Sequence, residues 1–223
     1  HTWNSVRTTV GLRFLMRDDI DPGRPNRWLA PISNSRYKQA LLIVFGMHLT
    51  LYLAIPLFPL ILVNELNLSD EIIALGNGIF YAALFFGSLQ HDVFASRLGN
   101  RRTLAVGMMI IGFYPLLVSQ ANGAALYLIA AVLGGAGWSL AGAAVGNYVL
   151  QEAPEDQRPA YLAWYNMALQ AGILLGALIA PSLAAVWTVS GALLLAGICR
   201  FLTGVLAWYQ PKRRLPEPGS AQH

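Results

Sequence analysis

Apolar residues fall into six long stretches separated by short polar connectors, and this pattern predicts helices over 39–63, 71–95, 103–120, 124–149, 160–184 and 187–209. Each stretch is close to the roughly 20 residues that carry a helix across the hydrocarbon of a bilayer. None shows the strict alternation of a half-buried strand. The connectors are NELNLSD, SRLGNRR, ANG, LQEAPEDQRP and a few residues near Val186. The predicted fold class is an all-α membrane protein with six transmembrane helices.

Two polar segments flank these stretches. In residues 1–38, Trp3, Val6, Val10 and Phe14 recur at helical spacing with Arg7, Arg13 and Arg17 off the stripe. That predicts a short helix in the headgroup plane, or else the end of a longer helix that starts earlier. Asp21-Pro22-Gly23 and Arg24-Pro25 interrupt it. The division expected is a linker segment at 1–38, a membrane domain at 39–210 and a tail at 211–223 that is rich in Pro, Gly and charge and reads as disordered. A start at His1 in place of Met reads as a fragment or a processed product.

Composition and charge sharpen the membrane reading. Hydrophobic residues make up 56% and charged residues 12%, half the roughly 25% charged share of a soluble domain. Of the 15 Lys and Arg, seven precede residue 39, three are Arg97, Arg101 and Arg102, one is Arg158, and three are Lys212, Arg213 and Arg214. Only Arg200 lies inside a stretch, where it is expected to snorkel toward the cytoplasmic face or to find a charge partner in the bundle. The alternate connectors carry only Glu65, Asp70 and Glu71. Cations gather on the inner face of a membrane, so both ends and the Arg97 loop are expected in the cytoplasm. This placement favours a membrane surface over nucleic acid as the partner of the net +4 charge. The single Cys199 allows no intrachain disulfide. No GxxxxGK[ST] phosphate loop is present, so nucleotide is not implied, and no cofactor or metal is expected.

Within the stretches, small and polar residues carry the remaining signal. Lipid provides no hydrophobic drive between helices, so close packing depends on small side chains. The fourth stretch has Gly134, Gly135, Gly137 and the GxxxG pair Gly142/Gly146; the fifth has Gly172/Gly176. Polar groups at membrane depth are functional candidates because hydrocarbon does not solvate them. Three pairs occur at i, i+4, on one helix face: His48/Tyr52, Asn77/Tyr81 and Asn166/Gln170. The fourth stretch adds Trp138 and Ser139, the third only Tyr114, and the sixth only Thr203 and Arg200. The first, second, fourth and fifth helices are therefore expected to face something polar, and the third and sixth lipid. Interhelical hydrogen bonding is the alternative role for these amides and rings. An imidazole ordinarily titrates near neutrality, which makes His48 the candidate carrier of a coupling proton.

The loop LFFGSLQHDVFASRLGNRRTL at 84–104 resembles the signature of the major facilitator superfamily, which reads roughly G-x-x-x-D-R-x-G-R-R. Arg97, Gly99, Arg101 and Arg102 match its Arg, Gly and basic positions. Ser96 stands where the family has Asp, Asp92 where it has Gly, and the basic run starts one residue late at Asn100. PLFPLILVNELNLSD and PEDQRPAYLAWYN resemble other loops of the family, and the likeness covers 38–212. The resemblance implies one half of a twelve-helix permease, the C-terminal one, built from two inverted three-helix units. It implies secondary transport of a small solute by alternating access, in a bacterial inner membrane, with a missing N-terminal half or a second subunit as partner. It also implies a cavity lined by the first, second, fourth and fifth helices, and a gating loop braced by its Asp-Arg contacts. Asp92, one turn before Ser96, is expected to replace the missing Asp as the partner of Arg97 or Arg101; a solvated cluster that only sets topology is the alternative. Two rivals remain. A half-length helper subunit without transport is one. The other is an intramembrane hydrolase using Ser139 in Gly137-Trp138-Ser139-Leu140-Ala141, with His48 as base, although the second Gly of a GxSxG motif is replaced by Ala141.

Overall fold

A computed structural model describes residues 28–209. The stripe at Trp3, Val6, Val10 and Phe14 and the tail after residue 210 lie outside the described residues. Six long helices account for most of the rest: α1 begins at Ser35–Ala54, α2 is Asp70–Ser88, α3 Asn100–Ser119, α4 Ala124–Glu152, α5 Arg158–Val186 and α6 Val189–Tyr209. All six are long and apolar enough to cross a membrane, and no strand occurs among the described residues.

Local chemistry explains where the helices start and bend. Asn34 caps α1, its Oδ1 accepting from the N–H of Arg36 at 3.0 Å and of Tyr37 at 3.3 Å. Past Ala54 the same span continues as a 3₁₀ turn, Ile55–Leu57, and a π-helical turn, Leu60–Glu65. Pro56 and Pro59 remove two backbone donors there, so the regular α ladder cannot run through. The stretch expected as one helix over 71–95 divides in two. α2 stops at Ser88, Gln90 N–H donates to Gly87 O, and a separate helix, His91–Leu98, follows. Apolarity continues past the break because that short helix keeps Val93 and Phe94 among its polar residues, which hid the boundary in the pattern.

Packing departs from the expected division into polar-facing and lipid-facing helices. α3 packs against both α4 and α6, α1 against α5 and α6, and α2 mainly against α4. In its most apolar window, 56% of α3 is buried, against 6% of α2 and 17% of α5. The third helix is thus an interior element of the described bundle. The cause is glycine. A Cβ at Gly107 would stand 2.8 Å from Gly137 O on α4, and one at Gly112 would stand 3.2 Å from Gly197 O on α6. Backbones approach that closely only without side chains between them. Counting polar residues could not reveal this.

Among the expected packing glycines, Gly135, Gly137, Gly172 and Gly176 make such contacts with neighbouring backbone. The GxxxG pair does not: Gly142 meets only Trp138 of its own helix, and Gly146 has nothing within 4 Å. Both continue the Trp138 face of α4 at intervals of four residues and are partly buried.

Candidate functional site

A cavity of about 610 Å³ opens among the helices near the middle of their length. α1 supplies His48 and Tyr52, α2 supplies Asn77 and Tyr81, and α4 supplies Trp138. The structure therefore gathers five of the seven residues singled out by their spacing. Asn166 and Gln170 are not among the lining residues; both are exposed on α5, and Asn166 Nδ2 donates to Leu162 O of its own helix. Ile173, seven residues after Asn166 on the same face, is the lining contribution of α5. The amide pair extends that face by two turns toward the arginine-rich end.

Sequence reasoning missed the aromatic end of the cavity. Phe58 from α1, Phe80 from α2 and Tyr114 from α3 meet there, with ring centroids 4.8 Å apart for Phe58 and Tyr114 and 6.1 Å for Phe80 and Tyr114. The signal available was Tyr114, the one polar ring on a helix otherwise assigned to lipid. It reaches the cavity because Gly134 on α4 leaves room beside its ring.

Hydrogen bonding sets the state of the lining groups. His48 is 8% exposed, and its Nδ1 lies 2.9 Å from Val44 O. A carbonyl only accepts, so Nδ1 carries the proton and Nε2 is the remaining pole. Asn77, Trp138 and the hydroxyls of Tyr52, Tyr81 and Tyr114 make no hydrogen bond to any described residue.

Behind His48 lies Arg200, which does not snorkel. It is 1% exposed at the middle of α6, and Nη1 donates to Met47 O at 3.0 Å. Nε and Nη2 have no partner among the described residues. Close packing of α6 on α3 at Gly197 and Gly204 walls the side chain in, so the long stem has no route to either face. No carboxylate reaches it: Glu65, Asp70, Glu71, Asp92, Glu152, Glu155 and Asp156, the acids among the described residues, all sit at helix ends or in connectors.

At the arginine-rich end, Gly99 joins the short helix His91–Leu98 to α3 with φ +80°, a conformation that suits glycine alone. The expected brace from Asp92 is not formed. Asp92 and Arg97 are both exposed and make no ion pair with a described residue. Five residues apart on one helix, they point about 140° from each other, since each residue turns the helix by roughly 100°. Arg97 instead occupies the last turn, where a cation complements the helix dipole. Arg101 interacts with Tyr148 and Glu152 at the end of α4, and Arg102 lies over the Trp208 ring of α6 at 5.0 Å. The loop is thus tied to α4 and α6 by its second and third arginines.

The Ser139 reading also changes. Its Oγ donates to Ala136 O at 2.6 Å, abuts Gly87 of α2, and does not line the cavity that holds His48. A nucleophile and base are not brought together there.

Six bilayer-length helices, with a mid-depth cavity lined by apolar and aromatic side chains and a few polar ones, define a multi-pass membrane protein. Residues 40–223 match the family model for the Major Facilitator Superfamily, and the chain belongs to that superfamily of membrane transporters. No curated protein matches the chain.

Proposed function

We propose that the chain forms the C-terminal six-helix half of a permease that moves a small solute by secondary active transport with alternating access. One observation carries this reading: α2 and α5 are apolar enough to span a bilayer, yet they are the least buried helices, and the cavity lies between them. Tyr81, which lines that cavity, is 66% exposed. A second six-helix half laid against α2 and α5 would close the cavity at mid-depth, where inverted-repeat transporters hold their solutes. The arginine distribution supports a cytoplasmic side for Gly99 and both ends, and the resemblance to the family supports a bacterial inner membrane. The non-α turns at Ile55–Leu57 and Leu60–Glu65 supply a bendable element directly above the site. His48 is the group placed to carry a coupling proton, through Nε2.

A half-length helper subunit is the second reading, favoured by the fact that this chain builds only one wall of the cavity. Cysteine accessibility in oriented vesicles separates the two. In a Cys199→Ser background, Gly142→Cys should react with an impermeant maleimide from the Gly99 side and Phe58→Cys from the Asn67 side, each in a different conformation. Occupying the cavity should change the two rates in opposite directions. Rates that stay fixed under every solute gradient would favour the helper and reject alternating access.

A further inference from the structure

We propose that the solute is an organic anion, held with its charge toward the donor-bearing wall of the cavity in the field of Arg200 and its apolar body against Phe58, Phe80 and Ile173. The inference rests on the transport reading above and gives it a substrate class. Three observations support it.

The first is the uncompensated cation. Arg200 is fully enclosed at mid-span, bonds to the Met47 carbonyl, and meets no carboxylate among the described residues. A charge in that position is strongly unfavourable unless something of opposite sign approaches it.

The second is its distance from the cavity. Met47 immediately precedes His48, which lines the cavity, so the guanidinium that bonds to the Met47 carbonyl lies directly behind the His48 wall. Buried charges are screened far less than exposed ones, and apolar walls concentrate their field in a cleft.

The third is the hydrogen-bonding character of the wall. Tyr52, Tyr81 and Tyr114 hydroxyls, the Asn77 amide and the Trp138 indole N–H are donors without a partner among the described residues. No Asp or Glu lines the cavity. Donors turned inward over a positive background suit a carboxylate or sulfonate. The aromatic lining taken alone would suit an organic cation through cation–π contacts, but the field of Arg200 opposes a cation at the same place.

A matched set of probes on one aromatic body tests this: 2-naphthoate, 2-naphthamide and (2-naphthylmethyl)trimethylammonium. Binding to the purified full-length protein is measured by calorimetry in detergent. The expected order is naphthoate at least tenfold tighter than naphthamide, with the ammonium weakest. Arg200→Gln should bring the naphthoate-to-naphthamide ratio close to one while naphthamide affinity holds, and Arg200→Lys should keep most of the preference. Preference for the amide or the ammonium, or binding by none of the three, overturns the inference from the native protein alone, whether or not Arg200→Gln folds. An unchanged ratio in a folded Arg200→Gln protein also overturns it. Flux measurements keep the two readings apart. Naphthoate binding without uptake into proteoliposomes leaves the anion site standing and removes transport, whereas preferential uptake of the neutral or cationic probe removes the anion site and leaves transport.

Discussion

α2 and α3 are similar in length and equally fit to span a bilayer, yet one is almost bare and the other largely enclosed. The difference lies in where their small residues fall. α3 carries Gly107 toward α4 and Gly112 toward α6, so it accepts a helix on two sides. α2 meets α4 through Gly76 and Gly87, while Leu75, Tyr81, Phe85 and Phe86 project outward, each more than half exposed. Hydropathy thus decides that a segment enters hydrocarbon, and the positions of glycine decide how many neighbours it takes. A bare helix that also carries Asn77 and Tyr81 into a cavity presents the face that the proposed second half would cover, whereas α3 is already enclosed.

Placing the same substitution on both helix systems is the severest test of this contrast. At Gly137, a Cβ would stand 2.7 Å from Ile111 N and 2.9 Å from Gly107 O, and backbone cannot yield as a side chain can. Gly137→Leu should destabilise the bundle by about 3 kcal/mol or more, seen as aggregation on size exclusion or a large fall in the detergent melting temperature. Gly78 on α2 has nothing within 4 Å. Gly78→Leu should leave the melting temperature unchanged or raise it, since leaving glycine in a helix costs up to about 1 kcal/mol. Equal damage at both positions would end the comparison.

The single attached face of α2 gives a smaller effect. Tyr127 on α4 covers Gly76 and donates its hydroxyl to Ile73 O at 3.1 Å. Tyr127→Phe removes that bond and should cost about 1 kcal/mol. If α2 is held mainly by this contact, hydrogen exchange should speed up in α2 and stay unchanged in α3. Uniform acceleration would mean that the two helices share one cooperative unit.

How much of this was legible beforehand follows the same physics. Helix number and approximate ends came from apolar run length, which is a local property of the chain. His48, Tyr52, Asn77, Tyr81 and Trp138 were singled out because a polar group at membrane depth is expensive wherever it points, and all five line the cavity. Asn166 and Gln170 share that property but stand exposed outside the cavity, up to two turns from Ile173 along the same face, since spacing fixes a face and not where along the helix a cavity lies. Arg200 was misread for a related reason: whether a long cation snorkels depends on how closely a second helix packs, here α3 against Gly197 and Gly204 of its own helix, and closes its exit. The Asp92 brace failed on helical phase: five residues apart on the helix His91–Leu98, Asp92 and Arg97 face different ways.

Gly99 tests the joint between the two helix systems. Its φ of +80° is strained for any L side chain, although the space around it is open. Gly99→Ala should therefore cost about 1 kcal/mol through backbone strain alone, read as a modest fall in melting temperature. Gly123, with open space and an extended φ of 165°, is the control, and Gly123→Ala should be nearly silent. A silent Gly99→Ala would show that the loop relaxes freely and does not hold α2 in register with α3.

The smallest expected effect lies at the other side of that joint. Arg102 sits over the Trp208 ring at 5.0 Å and fastens the start of α3 to the end of α6, whereas Arg97, on the α2 side, is exposed and makes no ion pair with a described residue. A cation–π contact at a partly open site is worth about 0.5–1 kcal/mol. Removing either partner alone also alters packing and solvation, so a double-mutant cycle with Arg102→Gln and Trp208→Leu is needed to isolate the contact. The coupling should fall in that range, and Arg102→Lys should retain part of it because the charge remains over the ring. Arg97→Gln, measured in the same way against Trp208→Leu, should show none. A vanishing Arg102 coupling would mean that α3 is held at this end by its glycine seams alone, and that the loop's arginines serve only to choose the side of the membrane.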